Sequence, residues 1–362
     1  MKEKLKKSVK PIIRIVAFIL VFAFVFVFLT YTSKPGDLRN SSRIYGLYAE
    51  KKNTLDVVNI GGSATFVYYA PLQAWENHGI VSYDYAAAGV QAELYKHMIE
   101  EVLKTQSPEL IVIDARAFQY RDAENDGSQP PSEFTYRTTL DGMRLSMNKI
   151  RFINENVGTR IEDDDKLSYY LDLIKYHGHG YPNKDKMKLM LGIYKEKYNG
   201  FFLEAKNQEL TKCEFNTTDK RPVSEDTEKV LVDLLEYIKQ IDCEFLFTVS
   251  PYLEKEEHKQ TFNYVEGIIK QYGYNFLDAN DYIEEMGIDY STDFYDEKHV
   301  NILGATKYTD FLSRYMIDNY DLPDRSDDPA YAFMNDYVDE WHKDIDASKE
   351  KLSEILEDNS NE

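Results

Sequence analysis

A serine that follows two glycines at the end of an apolar run is the first residue of this sequence that could do chemistry. The run Val57-Val-Asn-Ile-Gly-Gly-Ser63 has the pattern of a buried strand that turns sharply into a helix. In open parallel sheets, ligands bind at the carboxyl ends of the strands, which is where Ser63 would lie. A serine in that place can attack a carbonyl carbon while its own N–H stabilises the oxyanion.

An aspartate and a histidine three residues apart could activate this serine. They are Asp296 and His299, in the polar stretch from Asp293 to Asn301 that precedes a helical pattern. A serine nucleophile needs a base for its proton, and the base needs a carboxylate that fixes its tautomer. We therefore predict a triad in the chain order Ser63, Asp296, His299, with Ser63 Oγ close to His299 Nε2.

Each half of this pattern also has a structural interpretation. A serine after a strand can cap the following helix without any catalytic role. A lone histidine is often structural, and an aspartate three residues before a histidine is common by chance. The occurrence of both halves in one α/β pattern favours the catalytic interpretation.

Strands alternate with helices in the part of the chain that must position these residues. The predicted buried strands are 55–60, 110–113 and 244–249, with 274–277 as a fourth candidate. Helical patterns cover 64–75, 91–104, 227–240, 258–272 and 304–320. This alternation predicts an α/β domain whose parallel sheet is covered by helices on both faces.

The composition divides the chain into five parts. These are a basic tail at 1–14, an apolar segment at 15–32, a linker at 33–54, the α/β domain at 55–323 and an acidic tail at 324–362. Inside the domain, residues 119–226 break the alternation, open with an exposed loop at 123–131 and form an insertion that is a candidate lid. In the acidic tail, residues 336–357 have the pattern of one solvated helix.

The apolar segment at 15–32 is long enough to cross a bilayer once, because its residues form about 27 Å of helix. Six positive charges precede it within residues 1–14. The positive-inside rule therefore predicts a cytoplasmic N-terminus and an extracytoplasmic domain. A cleaved signal peptide is the alternative, but the segment ends without an Ala-x-Ala site. We predict a single-pass, uncleaved membrane anchor.

The charge of the exported part excludes nucleic-acid binding. The chain has 43 Lys+Arg and 63 Asp+Glu, for a formal net charge of −20, and the part after the basic tail is near −25. Contacts to phosphates need clusters of Lys and Arg, and none follows residue 40. Cys213 and Cys243 cannot make a zinc cluster, although they could bond to each other outside the cytosol. We predict no metal and no cofactor, because the pair His177 and His179 has no nearby carboxylate or cysteine partner.

These features resemble the SGNH/GDSL hydrolase superfamily, whose nucleophile follows the first strand and whose late block is Asp-x-x-His. More narrowly, the sequence is similar in plan to a membrane-anchored branch of Gram-positive envelopes, the D-alanine-transfer proteins of lipoteichoic acid. The resemblance spans about residues 55–335. It is carried by Asn-Ile-Gly-Gly-Ser (59–63), Gly-Ile-Val-Ser-Tyr (79–83), Val-Ser-Pro-Tyr (249–252), Phe-Tyr-Asp-Glu-Lys-His-Val-Asn-Ile-Leu-Gly (294–304) and Leu-Pro-Asp-Arg (322–325), with Leu-Asp-Gly-Met (140–143) and Lys-Tyr-His (175–177) in the insertion.

The resemblance implies a flavodoxin-like three-layer fold, with Ser63 as nucleophile, His299 as base and Asp296 as the carboxylate that orients it. Two blocks of the superfamily differ here. The Gly-x-Asn-Asp block, whose asparagine helps to bind the oxyanion, is replaced by Ile113-Asp-Ala-Arg116. The glycine of the other block is replaced by Ala86, and Gly89 follows three residues later, so either backbone N–H could join that of Ser63 in an oxyanion hole.

Arg116 and Asn301 are the candidate substrate-binding residues. Arg116 could act as a charged donor near the reacting carbonyl, and an ion pair with Asp114 is its structural alternative. Lys298, next to His299, and Arg116, just after the predicted strand 110–113, are also the positive residues that could lie in the crevice. A positive charge in the crevice would offset the repulsion of an anionic polymer by this acidic domain.

We therefore expect a membrane-anchored, extracytoplasmic serine esterase or O-acyltransferase that works through an acyl–Ser63 intermediate. The resemblance and the location suggest an envelope polysaccharide or teichoic acid as substrate, and a membrane-bound O-acyltransferase as the partner that supplies the acyl group. The missing oxyanion asparagine motivates an alternative function. In it, the protein is a catalytically inactive relative that binds a glycan or scaffolds the acyltransferase.

Overall fold

A five-stranded parallel sheet lies at the centre of the protein, whose computed structural model describes residues 2–34, 41–121, 132–161, 165–178 and 180–360. The strands are β1 (Val57–Gly61), β2 (Ser82–Ala86), β3 (Leu110–Asp114), β4 (Glu244–Val249) and β5 (Asn275–Asp278). Their order across the sheet is β2-β1-β3-β4-β5, and every neighbouring pair is parallel. The predicted α/β class with a parallel sheet is confirmed.

Helices connect the strands and cover the sheet. In chain order they are α1 (Lys2–Ser33), α2 (Ser42–Gly46), α3 (Ser63–Phe66), α4 (Pro71–His78), α5 (Tyr95–Val102), α6 (Arg116–Tyr120), α7 (Glu133–Leu140), α8 (Met147–Asn156), α9 (Lys166–Tyr170), α10 (Asp172–Tyr176), α11 (Lys184–Leu191), α12 (Glu225–Ile238), α13 (Glu256–Gln271), α14 (Ile283–Met286), α15 (Ile302–Asn319) and α16 (Val338–Ser360). Right-handed crossovers place α4 on one face of the sheet and α5, α12 and α13 on the other. Helix α15 packs against α4, and α12 packs against α5.

The strand order creates a crevice next to β1. The connection from β1 leads to β2 on one side of it, whereas the connection from β3 leads to β4 on the other side. Loops that leave neighbouring strands in opposite directions open a ligand-binding crevice at the carboxyl edge of the sheet. Ser63 follows β1 at this edge, and Asp114 ends β3 there.

Strand β2 was not among the strands predicted from the apolar pattern. Its polar residues Ser82 and Asp84 alternate with tyrosines, yet the whole strand is buried. Asp84 accepts a hydrogen bond from Asn59 Nδ2 on β1 at 2.8 Å, and burial raises the pKa of its carboxyl. The hydrogen bond to the neighbouring strand allows a polar side chain to be buried in β2. A buried strand of this kind has no continuous apolar run, so the apolar pattern did not predict it.

The helix predicted at 64–75 is two helices, α3 and α4. Pro71 has no backbone N–H and is favoured at the first position of a helix, so α4 begins there as a separate element. The other long helices of the domain, α12, α13 and α15, lie within about two residues of their predicted ranges.

Helix α1 contains a segment, Lys10–Ser33, that is long and apolar enough to span a membrane. The basic tail predicted at 1–14 is part of this helix from Lys2 onward. The segment at 33–54, predicted as a linker and an entry to the domain, contains α2, which buries Arg43 and Ile44. Residues 35–40 lie outside the described residues.

The insertion at 119–226 contacts both helix α1 and the sheet domain. Its helices α10 and α11 pack against α1, and α8 packs against α5. Its later part runs without helix or strand beside the candidate site, where Phe202 N donates to Phe66 O (2.7 Å) and Gln208 N donates to Phe294 O (2.9 Å). The exposed loop predicted at 123–131 lies outside the described residues.

The helix predicted in the acidic tail is present as α16, but the prediction of a solvated helix was wrong for one of its faces. Trp341, Ile345 and Leu352 are buried. They lie four and seven residues apart and form one apolar stripe along the helix. The Trp341 ring contacts the rings of Tyr198 and Phe201 at centroid distances of 5.1 and 5.5 Å, so the tail is packed against the insertion.

Candidate functional site

Three side chains from distant parts of the chain form a hydrogen-bonded relay at the carboxyl edge of the sheet. Ser63 Oγ lies 2.7 Å from His299 Nε2. The other ring nitrogen, His299 Nδ1, lies 2.9 and 3.0 Å from the two carboxylate oxygens of Asp296. The predicted contact between the serine and the histidine is therefore present, in the geometry that proton transfer from the serine requires.

Ser63 is held in this position because the backbone of Gly61, at the end of β1, packs closely against the side chains of Thr65 and Asp114. A Cβ atom on Gly61 would lie 2.2 Å from Thr65 Oγ1 and 2.5 Å from Asp114 Cβ, so only glycine fits there. The N–H of Gly62 donates to Asp114 Oδ2 at 3.4 Å. The turn that presents Ser63 is thus fixed against the end of β3.

A two-stranded hairpin carries the other two members of the relay. Its strands are β6 (Phe294–Asp296) and β7 (His299–Val300), in the stretch that we predicted as a polar loop. Asp296 Oδ1 also accepts the N–H of Lys298 at 2.7 Å, which closes the tight turn between the strands. The ring of Tyr295 stacks on the imidazole of His299 at a centroid distance of 5.3 Å, and this contact restricts the orientation of the ring.

The environment of Asp296 favours its ionised form. Partial burial alone would raise the pKa of Asp296, but hydrogen bonds from His299 and from the N–H of Lys298 outweigh it and hold that pKa below the usual value for aspartate. An ionised carboxylate on Nδ1 keeps the proton there and leaves Nε2 free to accept a proton from Ser63. His299 is 17% exposed and Ser63 is partly exposed, so a ligand can reach the pair from solvent.

Arg116 lies beneath the hairpin and is only 1% exposed. Its Nη1 donates to Lys298 O at 3.1 Å and to Ser250 Oγ at 3.4 Å, and its guanidinium lies 4.4 Å from the Tyr252 ring centroid. The link to Asp114 is a backbone hydrogen bond, from Arg116 N to Asp114 Oδ1 at 2.9 Å, instead of the predicted ion pair. Arg116 therefore supports the turn between Asp296 and His299 from below and does not present its charge to the crevice.

Two residues without a predicted role in the relay also hold the site together. Tyr68 OH lies 2.8 Å from Lys298 O and contacts Pro251 O, so it joins the hairpin to the end of β4. Asp114 receives the N–H groups of Gly62 and Arg116, and burial raises the pKa of its carboxyl. The sequence could indicate a role for Asp114 only through its position at the end of a predicted strand. Its contact with Gly62 depends on β1 and β3 being neighbours in the sheet, which the sequence does not show.

The side-chain amide of Asn301 makes its hydrogen bonds to other groups of the protein. It is 1% exposed, and its Nδ2 donates to Lys206 O at 3.1 Å and to Thr292 O at 2.7 Å. Its Oδ1 accepts the N–H of Leu303 at 3.0 Å and caps α15. These contacts use both amide hydrogens, so the predicted substrate-binding role is replaced by a role in joining the hairpin to the insertion.

The candidate oxyanion donors lie in two different places. Ala86 ends β2 opposite Gly61, and the next N–H, that of Ala87, donates to Gly61 O at 3.3 Å. Gly89 has a φ of +69° and lies against Thr135 of α7. Their roles, and that of the Ser63 N–H, stay predictions.

The remaining candidate residues from the sequence, a lysine, two cysteines and two histidines, have side chains with no described contact to the side chains of Ser63, His299 or Asp296. Lys298 is exposed in the turn between Asp296 and His299, and its Nζ lies 5.3 Å from the Tyr120 ring centroid. Cys213 and Cys243 are free thiols and are not bonded to each other. His177 Nδ1 contacts Ile174 O at 2.7 Å, and His179 lies outside the described residues.

No model of a known protein family matches the chain, and no curated protein matches it significantly. The chemistry of the site is therefore inferred from its own geometry. A serine, an imidazole and an ionised carboxylate in sequence can generate a nucleophilic alkoxide for attack on an ester or another acyl group.

Proposed function

We propose that this protein is a membrane-anchored serine esterase or O-acyltransferase of the SGNH type, which forms an acyl–Ser63 intermediate. The observation that carries this proposal is the relay from Ser63 through His299 to Asp296. A serine that only caps a helix has no need of a base at 2.7 Å, nor does that base need a carboxylate on its far nitrogen.

The reaction proceeds in two steps at one site. Ser63 Oγ attacks the ester carbonyl while its proton passes to His299 Nε2, and the leaving alcohol then takes that proton as the C–O bond breaks. In the second step His299 removes a proton from water or from an acceptor hydroxyl, whose oxygen attacks the carbonyl carbon of the acyl–Ser63 ester. His299 then returns this proton to Ser63 Oγ as the bond between Ser63 and the acyl group breaks. Asp296 stabilises the imidazolium that exists between these transfers.

The strand order supports the SGNH part of the proposal. The order β2-β1-β3-β4-β5 is that of flavodoxin-like folds, in which the ligand lies at the switch point beside β1. Segments that carry the resemblance also contact one another. Arg325 N donates to Gly79 O at 3.0 Å, and Tyr176 OH hydrogen-bonds to Asp141.

The location and substrate are proposed from the anchor and from the resemblance. The positive residues that precede the apolar segment favour a cytoplasmic N-terminus and an extracytoplasmic domain. An envelope polysaccharide or teichoic acid would then be the substrate, with Lys298 at the crevice to attract an anionic chain. A membrane-bound O-acyltransferase would supply the acyl group, and residues 201–210 beside the hairpin would help to exclude water during transfer.

Labelling by a fluorophosphonate tests the proposal directly. We expect the full-length protein in detergent to be labelled on Ser63, and Ser63→Ala to lose labelling and at least about a thousandfold of any ester turnover. Ser291→Ala is the control, because this serine hydrogen-bonds to Asp289 away from the relay and should leave labelling unchanged.

Two results would overturn the proposal that this protein is an enzyme. One is the absence of labelling in the unmodified protein, together with unchanged envelope acylation in cells that carry Ser63→Ala, which would point to the binding or scaffolding function. The other is equal labelling of the unmodified protein and Ser63→Ala, which would place the reactive group elsewhere.

A further inference from the structure

The exposed large apolar side chains of the described domain are concentrated in the insertion. Seven of them are between 56% and 73% exposed there: Phe134, Leu145, Met147, Leu167, Tyr181, Leu191 and Ile193. Outside the insertion and the anchor helix, the exposed large apolar residues of the described chain are Tyr282 and Ile317, at 38% and 41%. A concentration of this kind marks a surface that is covered by a partner or a membrane.

Four of these side chains lie around the end of the anchor helix, and we call them the collar: Leu145, Tyr181, Leu191 and Ile193. Leu145 lines a cavity of about 180 Å³ together with Phe26 and Val27 of α1. Tyr181 lies beneath Lys186, whose Nζ is 5.6 Å from the ring centroid and donates to Thr32 O (3.0 Å) and Lys34 O (2.6 Å) at the end of α1.

Leu191 and Ile193 belong to the same surface. Leu191 ends α11, which packs against α1, and both residues flank Gly192. A Cβ atom on Gly192 would lie 3.0 Å from Arg144 Nη2, and Arg144 also lines the cavity that Leu145 shares with α1. The collar residues therefore surround the same end of the anchor helix from two sides.

The depth of this surface follows from the length of the anchor. Lys10–Ser33 is 24 residues long, or about 36 Å of helix, which exceeds a hydrocarbon core of about 30 Å. Phe26 and Val27 precede the last residue of the unbroken apolar run, Leu29, by about 3–5 Å along the helix axis. Leu145, which shares a cavity with them, is thus at the boundary between acyl chains and headgroups.

Positive side chains accompany the apolar ones on this surface, although the protein as a whole has a net charge of −20. Arg144 is adjacent to Leu145, and Lys184 and Lys188 lie on α11 between Tyr181 and Leu191. Asp185 is the acidic residue on this stretch of α11, and its carboxylate lies 3.6 Å from Lys188 Nζ in an exposed ion pair. Apolar side chains with lysines and arginines beside them are typical of segments that lie in the plane of a membrane interface.

We propose that the collar is a membrane-interface surface, which inserts its apolar side chains among lipid headgroups and places Arg144, Lys184 and Lys188 against anionic ones. The occupant is the bilayer that holds α1, since the collar surrounds the end of that helix. The domain is then held to the membrane at two places, by the anchor and by the collar. This proposal rests on α1 spanning the bilayer and not on the chemistry of Ser63.

Nitroxide labels on single cysteines test this proposal in the full-length protein. The background is Cys213→Ser/Cys243→Ser, in vesicles of phosphatidylcholine and phosphatidylglycerol. Labels at Leu191→Cys and Ile193→Cys report on the collar, whereas Ile317→Cys on α15 is the matched exposed control. We expect collar labels to contact oxygen more than a water-soluble nickel complex, at a depth of about 5–10 Å. The label on Ile317→Cys should contact the nickel complex freely.

Three results would overturn the proposal. Collar labels as accessible to nickel as the Ile317→Cys label would place the collar in water. Collar labels that are shielded from both oxygen and the nickel complex in native membranes, but not in lipid vesicles, would show that a protein partner covers the surface. A label at Val21→Cys in α1 that contacts nickel would remove the anchor on which the proposal rests, without any bearing on labelling of Ser63.

Discussion

His299 has a different partner on each ring nitrogen and on one face of its ring. Ser63 occupies Nε2, Asp296 occupies Nδ1, and the ring of Tyr295 stacks on the imidazole. The carboxylate is the partner that sets the tautomer, because an ionised oxygen on Nδ1 requires the proton to stay there. The nearby backbone N–H of Lys298 helps to keep the pKa of Asp296 below its usual value.

Changing Asp296 to Asn would test this dependence. An amide can donate to Nδ1 and thereby favour the tautomer that carries its proton on Nε2, which cannot accept a proton from Ser63. We expect the rate of fluorophosphonate labelling and of ester turnover to fall by about 10²–10⁴-fold. Since the carboxylate of the unmodified protein stays ionised, the deficit should persist across the neutral pH range.

Glu297→Gln is the control for this variant. Glu297 is exposed and adjacent to Asp296, and its backbone oxygen, not its side chain, accepts a hydrogen bond from Leu253. It should label at the unmodified rate. A similar rate for Asp296→Asn and Glu297→Gln would show that the carboxylate does not orient His299.

The members of the relay could be predicted from sequence, whereas the residues that support them could not. Ser63, Asp296 and His299 lie in local patterns, a strand end and a short Asp-x-x-His block, that can be recognised without knowing the fold. Arg116 and Asn301 were assigned to the substrate because of their position in sequence. Arg116 donates to Lys298 O and Asn301 donates to Lys206 O, and both of these partners lie far along the chain, so a local pattern does not contain that information.

At the scale of elements, hydrogen bonds link the end of α4 and the start of the sheet to a segment near the C-terminus. Gly79 ends α4 with a φ of +65°, and its oxygen accepts the N–H of Arg325. Arg325 in turn donates to Asp56 Oδ1 at 3.1 Å, just before β1. The C-terminal segment is thereby tied to the start of the sheet, an arrangement that composition alone did not indicate.

Replacing Gly79 by Ala should destabilise the protein more than the same change at another left-handed glycine. A Cβ atom on Gly79 would lie 1.9 Å from Asp324 Oδ1 and 2.8 Å from Arg325 N, whereas one on Gly273, with a φ of +86°, meets nothing within 4 Å. Both variants carry the backbone penalty of about 1–2 kcal/mol for a left-handed residue. We expect Gly79→Ala to lose a further ~1–3 kcal/mol of unfolding free energy because of the steric clash.

Denaturant unfolding of the full-length protein in detergent micelles would measure this difference. Gly273→Ala is the matched control, since it changes the backbone without a new contact. Equal losses in the two variants would mean that the segment around Asp324 moves away at no cost.

At the scale of the whole molecule, buried charges join helix α1 to the domain. Lys34 follows α1 directly, forms an ion pair with Asp172 of α10 and donates to Asp141 O at 3.1 Å. Lys149 lies 3.7 Å from Asp172, in the same buried cluster. The sequence showed the apolar segment and its length clearly. It did not show this junction, because a lysine after a membrane segment has the same pattern whether it is solvated or paired.

This junction predicts a strong coupling between Lys34 and Asp172. The two side chains are 4% and 11% exposed, so removal of either leaves a buried charge without its main partner. We expect Lys34→Met and Asp172→Asn each to lose about 2–4 kcal/mol of unfolding free energy. The double variant should lose less than the sum of both, with a coupling of about 1–3 kcal/mol.

The pair Lys197 and Asp344 provides the matched control on the surface. It is 2.7 Å apart, but its side chains are 50% and 39% exposed, so water already screens both charges. The corresponding cycle of Lys197→Met and Asp344→Asn should show a coupling below about 1 kcal/mol. If the two cycles gave equal couplings, the charges at the junction would be as well solvated as those on the surface.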